Sequence, residues 1–371
     1  METEVKIQSS DWKSLLENSF RSPRECATAE TYARDQIQAV IKKYPMQINP
    51  YFLDVCRRYG EPLIRQVMPD PRELMDSVGL RDPLAEERDS PVANVTHRYP
   101  DRILFLVSNI CGVYCRFCTR KRKIGHWKTI PDSVIETGVR YIKDHREIKD
   151  VLVSGGDPLL LDDDRLSWIL SEIHPIPHVQ IIRIGSRTPG VLPQRINDSL
   201  IRILKRFQPL YLNIHFNHPD EITDEVRRAC YRLAEAGIPM GSQTVLLKGI
   251  NDHADILARL FRELLKMRIK PYYLLQADLT RGTDHFRTRI ETGLKIMQQL
   301  RGHISGLAVP HYIIDLPGGG GKVPLIPDNV ISLCEDAIVV KNFEGHIFEY
   351  PQAERVNPDL IESPVCPEMK G

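Results

Sequence analysis

Cys111, Cys115 and Cys118 stand in a C-x3-C-x2-C run directly after an apolar segment, residues 102–108, that reads as a buried strand. Three thiolates at a strand end can hold three irons of a [4Fe–4S] cube and leave the fourth iron without a protein ligand. An open iron can bind a substrate or cofactor and pass it an electron. A structural zinc is the alternative. It needs a fourth nearby ligand, for which His126 is the sole local candidate, and zinc sites usually pair cysteines as C-x2-C twice, which this chain does not do.

Other residues with chemical capacity fall at the ends of later apolar runs. Ser154-Gly155-Gly156-Asp157 follows the second, where glycines let backbone approach a neighbour closely and take positive φ. Polar clusters at Gly185-Ser186-Arg187-Thr188-Pro189, at residues 213–219 around His215, and at Gly241-Ser242-Gln243 close three more. Residues 317–322 read Pro-Gly-Gly-Gly-Gly-Lys. A phosphate-binding P-loop would need Gly in place of Leu316 and Ser or Thr in place of Val323, and Pro324 opposes the helix that should follow. What remains is Lys322 on a yielding loop, able to form a Schiff base with an aldehyde or simply to sit in solvent.

These residues need a scaffold that repeats. Short β-rich runs at 103–107, 150–153, 179–184, 211–215, 240–246, 271–275 and 308–313 alternate with amphipathic runs at 131–144, 162–173, 194–206, 220–236, 252–267 and 287–301. Successive βα units imply a parallel sheet, as a barrel or an open doubly wound sheet, with functional residues gathered where strands end. Residues 1–96 read as a helical N-terminal region without chemistry, a cap or an oligomerisation surface. Its pieces at 29–43, 50–59 and 73–78 are kept short by prolines, and 86–97 reads as a linker into the core. Residues 97–325 form the repeating unit. Residues 326–371 hold a β-hairpin, 336–341 with 346–350, and an extended arm from 353.

The 371-residue chain carries 50 basic and 49 acidic residues, a balance that argues against a general nucleic-acid or membrane surface. No run approaches a membrane span, and residues 1–12 are too polar for a secretory signal. Cys26, Cys56, Cys230, Cys334 and Cys366 are scattered singly, unlike a disulfide framework, so they are expected to be inert thiols in a cytoplasmic, reducing setting.

The cysteine run after the first strand of a βα series resembles the radical S-adenosylmethionine superfamily. Cys-x3-Cys-Arg-x-Cys-Thr-Arg-x-Arg, Ser-Gly-Gly-Asp and Asp-x-Pro-Gly-Gly-Gly-Gly-Lys together resemble its lysine 2,3-aminomutase family, from about His97 to Tyr350. His97-Arg98-Tyr99-Pro100-Asp101-Arg102 and His285-Phe286-Arg287-Thr288 add to the match. The resemblance implies a partial (β/α) barrel and three cofactors: a [4Fe–4S] cluster, S-adenosylmethionine and pyridoxal 5′-phosphate. It implies that Ser154, Gly155, Gly156, Asp157, Ser186, His215 and Gln243 contact S-adenosylmethionine. It further implies that Lys322 forms the Schiff base with pyridoxal phosphate, with Arg98, Tyr99 and Arg102 beside that cofactor. Arg120 would take the substrate α-carboxylate, and Asp278 and Asp315 its ε-ammonium.

Two carboxylates on one ligand favour a cation, which points to lysine and to its conversion to β-lysine rather than to glutamate chemistry. Arginine or glutamate as substrate, and the related enzyme that rearranges lysine for elongation factor P, are the rivals within this chemistry. A non-catalytic iron–sulfur or zinc protein is the rival outside it. An electron donor such as flavodoxin or ferredoxin and a homo-oligomer are implied, with no nucleic-acid or membrane partner. Phe117 stands where the family often has His and is expected to pack near the cofactor. Zinc between subunits is not expected, because the tail has only Cys366, with His253 as a lone helix-borne candidate.

Overall fold

The computed structural model describes residues 11–26, 34–125, 129–334 and 337–352. Its core is one sheet in the unbroken order β1 to β9: β1 (Val95–Tyr99), β2 (Arg102–Ser108), β3 (Asp150–Gly155), β4 (Ile181–Ser186), β5 (Leu210–Ile214), β6 (Met240–Leu246), β7 (Ile269–Gln276), β8 (His311–Leu316) and β9 (Gly321–Pro324). Strands β2 to β8 are parallel, while β1 and β9 join antiparallel at the two edges, so the barrel is partial. All seven expected parallel strands form.

Alternation along each strand divides core from cavity. Phe105, Val153, Ile184, Leu212, Met240 and Ile269 pair in register across the sheet and are buried. Phe105 faces outward, since a methyl at Gly138 of the covering helix would fall 2.4 Å from its ring. Neighbours of opposite parity, Leu104, Leu152, Arg183 and Gly241, face the barrel interior, which is open.

Helices α6 (Asp132–Asp144), α7 (Asp163–Ile173), α9 (Asp198–Lys205), α10 (Asp224–Glu235), α11 (Ala254–Lys266) and α12 (Ile290–Leu300) cover the sheet, and α8 (Thr188–Val191) is a single turn after β4. In α10, Thr223 caps the Val226 amide at 3.3 Å, Asp224 and Glu225 favour the positive helix end, and Val226, Ala229, Cys230 and Leu233 form the buried stripe. The ranges 194–206 and 220–236 are shorter as helices than their periodicity suggests, because Pro193 and Pro219 open separate 3-10 turns.

The N-terminal region is helical as expected: α1 (Trp12–Glu17), α2 (Pro23–Cys26), α3 (Arg34–Lys43), α4 (Pro50–Tyr59) and α5 (Glu61–Ile64). Three expectations change. Residues 73–78 are not a helix; a 3-10 turn, Pro71–Leu74, is fixed by Asp70 and Glu73 in a reciprocal cap. The linker 86–97 ends in an edge strand, β1, and the glycine-rich loop ends in another, β9. After the barrel, β10 (Val330–Leu333), β11 (Ala337–Lys341) and β12 (Ile347–Pro351) make a three-stranded sheet that contains the expected hairpin. Cys26, Cys56 and Cys230 are buried free thiols, whereas Cys334 is disulfide-bonded, against the expectation for it. His126, Cys366 and the 353–371 arm lie outside the described residues. Among the described residues, no helix is long and apolar enough to cross a membrane.

Candidate active site

The interior of the barrel holds a cavity of about 930 Å³ that runs through the sheet and takes in the carboxyl ends of the parallel strands. Every residue to which the resemblance assigns a cluster, cofactor or substrate role lines it: the three cysteines, Ser154 to Asp157, Ser186, His215, Gln243, Arg98, Tyr99, Arg102, Arg120, Asp278, Asp315 and Lys322.

The cysteine loop follows β2 and is clamped by the N-terminal region. Gln47 Nε2 donates to the Cys111 carbonyl at 2.6 Å, Asn49 Nδ2 to the Gly112 carbonyl at 3.0 Å, and the Tyr114 amide to the Gln47 carbonyl at 2.9 Å. Arg116, fully buried between Cys115 and Cys118, pairs with Glu73 at 2.6 Å, and Lys121 reaches the same carboxylate at 2.8 Å. Val113 joins the apolar cluster built by α1, α4 and α5. The N-terminal region thus hydrogen-bonds to this loop and packs against it.

The two glycines after β3 have a specific cause. A Cβ on Gly155, at φ +136°, would lie 2.2 Å from the Ser108 carbonyl oxygen, and one on Gly156 would lie 2.3 Å from that of Ile110. The Gly156 and Asp157 amides donate to those carbonyls, each at 2.6 Å. The close approach is thus to the chain's own cysteine loop.

Among the described residues, no three or more His, Cys, Asp or Glu side chains gather tightly enough for a single metal ion. The three cysteines all line the cavity. Burial pushes the Cys118 thiol up to about 11, with Cys115 adding to it, and Cys111 well above its ordinary value. Two of the three sulfurs thus need a large positive partner to ionise, which an iron–sulfur cube would supply.

Asp157 links β3 to β4. Its carboxylate accepts from Ser186 Oγ at 2.8 Å and from the Arg187 and Thr188 amides at 2.8 and 2.9 Å. Both oxygens and the Ser186 hydroxyl are committed to shaping the 186–188 loop. Arg187 then donates to Cys115 Sγ at 2.7 Å and to Gln66 at 2.6 Å, and pairs with Glu221 at 3.2 Å. His215 lies beyond it. Burial, then the Arg187 and Arg120 charges, push its imidazole down to about 4, so it is neutral at pH 7. Phe117 stacks edge-on to Phe286 at 6.1 Å, which places the 285–288 element against the cysteine loop.

The other end of the cavity is charged. Asp315 and Lys322 are cross-strand partners in the β8–β9 hairpin, and Lys322 Nζ donates to Asp315 Oδ2. Arg98 sits 3.5 Å from the other carboxylate oxygen and 3.2 Å from Asp89. Tyr99 Oη accepts from the Lys322 amide at 2.9 Å, so side chains of β1 close the gap to β9. The Arg102 guanidinium lies 4.0 Å over the Tyr99 ring. Lys322, two arginines and a phenol thus form one cluster, whose donors suit a phosphorylated aldehyde.

Arg120 leaves the cysteine loop toward this end and is held by Glu86 at 2.6 Å. Asp278, just after β7, has no hydrogen bond or ion pair among the described residues. Burial, then the Asp315 charge, push its carboxyl up to about 7.

Glu73, Glu86, Arg116, Gln47 and Asn49 are the structural finds of this site. Each acts across more than 30 residues of chain, and the one sequence signal was the crowding of basic residues between and after the cysteines.

Two family models match: one described as Radical SAM superfamily over residues 105–261, and one described as Lysine-2,3-aminomutase over residues 297–367. The chain is 45% identical over 350 residues to an L-lysine 2,3-aminomutase of Methanococcus maripaludis, covering 92% of this chain and 81% of that one. It is 43% identical over 355 residues to an L-lysine 2,3-aminomutase of Clostridium subterminale, covering 94% and 85%. It is also 43% identical over 323 residues to a glutamate 2,3-aminomutase of Clostridioides difficile, covering 85% and 76%.

Proposed function

This chain belongs to the lysine 2,3-aminomutase family of radical S-adenosylmethionine isomerases, and on that footing we propose that it converts L-lysine to L-β-lysine. Membership brings a [4Fe–4S] cluster and S-adenosylmethionine. Cys111, Cys115 and Cys118 would hold the cluster; Gly155, Gly156, His215 and Gln243 would flank S-adenosylmethionine, with Ser154, Ser186 and Asp157 framing their loops. Pyridoxal phosphate is the third group the cavity suits. It would supply a conjugated π-system able to spread an unpaired electron while an amino group moves from the α to the β carbon. Lys322 would bind it, with Arg98, Arg102 and Tyr99 around its phosphate.

The observation that carries the choice of substrate is the pair Asp278 and Asp315 in the wall that also bears Lys322. Asp278 is short of a cation: its carboxyl rises to about 7 through burial and the second negative charge. An ε-ammonium relieves that repulsion, whereas the γ-carboxylate of glutamate would add a third negative charge. At the other end of an amino acid, Arg120 offers a guanidinium, preorganised by Glu86, to the α-carboxylate. His215, kept neutral, adds no competing positive charge.

A low-potential one-electron donor such as flavodoxin or ferredoxin would reduce the cluster, and a homo-oligomer is the proposed assembly. The test is anaerobic incubation of the reduced, cofactor-loaded protein with single amino acids, scored for β-amino products. We expect β-lysine from lysine. Turnover of arginine or glutamate with none of lysine would replace this substrate assignment.

A further inference from the structure

The side chain that fills the acidic end of the cavity is itself a lysine. Lys322 stands opposite Asp315 in the β8–β9 register, its amide is pinned to Tyr99 Oη at 2.9 Å, and its Nζ donates to Asp315 Oδ2. Asp315 is 5% exposed, and its second oxygen faces Arg98 at 3.5 Å. The Lys322 charge also acts on Asp278, against the repulsion from Asp315. The ammonium of Lys322 thus lies in the field of both carboxylates. A substrate lysine would bring the same group, on the same alkyl chain, to the same oxygens. A substrate ammonium must compete with that of Lys322 at the buried Oδ2, because their mutual repulsion and the occupied donor position weaken each other's binding.

We infer that Lys322 is an internal competitor for the ω-ammonium site: without the aldehyde cofactor it closes that site to lysine, and loading opens it. The inference rests on the substrate and cofactor roles given above to Asp315 and Lys322. The chemistry of opening balances simply. The ammonium nitrogen forms a C=N bond to the aldehyde carbon. Two of its hydrogens leave with the aldehyde oxygen as water, and at most one N–H donor remains where there were three. Asp315 then lacks its partner, and a substrate ammonium replaces it. The device orders the two ligands, aldehyde first and lysine second. It also keeps Oδ2 of the buried carboxylate paired while the site is unloaded.

The experiment is calorimetry on the full chain with its cluster reconstituted and pyridoxal phosphate withheld. L-Lysine, cadaverine and L-norleucine are titrated into the wild type and into Lys322→Met, Lys322→Gln and Lys322→Arg. Lysine and cadaverine are expected to bind at least tenfold tighter to the Met and Gln variants than to the wild type. Norleucine, which lacks the ω-ammonium, should show no gain. The Arg variant should bind as weakly as the wild type, because a guanidinium keeps the pair with Asp315. Equal affinity of lysine and cadaverine for wild type and both neutral variants would overturn the inference. Turnover of lysine by the loaded wild type is scored separately. A cadaverine gain without such turnover would sink the substrate assignment and leave the competition standing, while turnover without a gain would do the reverse.

Discussion

Glu86 holds Arg120 through a single carboxylate oxygen, which accepts from Nε at 2.9 Å and from Nη2 at 2.6 Å. The Glu86 side chain is 4% exposed, and it also faces Lys123 at 3.5 Å and Arg122 at 3.8 Å. It is the positioning residue for the one guanidinium that leaves the cysteine loop toward the charged end of the cavity.

Glu86→Gln keeps the size and one acceptor but removes the charge. A hydrogen bond to a charged group contributes about 2 kcal/mol, so KM for lysine should rise on the order of tenfold with a smaller change in kcat. Burial raises the Glu86 carboxyl, but Arg120, with Lys123 and Arg122, more than offsets this and holds it down to about 2, against an ordinary 4.5. The folded state therefore binds this proton less readily than the unfolded one. The stability it contributes is complete above pH 4.5 and is lost as pH falls toward about 2. Denaturant titrations at descending pH should show the wild type losing stability more steeply than Glu86→Gln. Parallel curves, with an unchanged KM, would remove Glu86 from this role.

Gly156→Ala tests the contact between the β3 end and the cysteine loop. The new methyl would lie 2.3 Å from the Ile110 oxygen and 2.8 Å from its nitrogen, both backbone atoms that cannot swing aside. The loop must shift, at a cost of about 1–3 kcal/mol. Iron bound per chain after reconstitution should fall below half of the wild-type value. Gly306→Ala is the control, since nothing lies within 4 Å of a Cβ there. Full iron loading of Gly156→Ala would show that the loop tolerates the displacement.

The seven parallel strands were legible because a strand covered by helices shows short, bounded runs rich in apolar residues, as 103–107 does; in 181–184 only Arg183, which faces the cavity, interrupts the run. The cysteine run, the glycine pair and Lys322 were legible because their chemistry depends on local spacing. The edge strands were not. Thr96, His97 and Arg98 alternate no apolar residues, and β9 is defined by residues 321–324 pairing back onto β8. Glu73 and Glu86 were hidden in segments read as a helical piece and a linker. Their partners Arg116 and Arg120 lie 43 and 34 residues away, where no periodicity reaches. The reason for the glycine pair was also out of sight: close approach was foreseen, but its partner is the Ser108–Ile110 backbone.

Glu73 carries the buried charge network under the cysteine loop. Its side chain is fully buried, with Arg116 2% and Lys121 7% exposed. Glu73→Ala leaves two buried cations without a counter-charge, which costs about 3–5 kcal/mol. For a chain of this size Tm should drop by roughly 5–10 °C. Replacing Arg116 in the same background should cost less than it does alone, because each partner removed relieves the other. Additive losses would mean that the three side chains do not act as one unit.

Asp278 sets the expected pH dependence of substrate use. Its carboxyl stands near 7 through burial and then the Asp315 charge, with Lys322 and Arg120 acting the other way. For an acid raised above its ordinary value, the unliganded folded state takes up the proton more readily than the unfolded one. That state is therefore stabilised by this group as pH falls from about 7 toward 4, and loses the contribution as pH rises. Lysine demands the opposite form, because an ammonium pairs with a carboxylate and not with a carboxylic acid. Affinity for lysine should therefore rise through pH 7, with log(kcat/KM) climbing by about one per pH unit below it and levelling above. Asp278→Asn should lower kcat/KM about a hundredfold or more and abolish that step. Ionisations of lysine itself affect both proteins alike, so the difference between the two profiles isolates Asp278. Identical profile shapes for the wild type and Asp278→Asn between pH 6 and 8 would show that this carboxylate does not meet the substrate's cation.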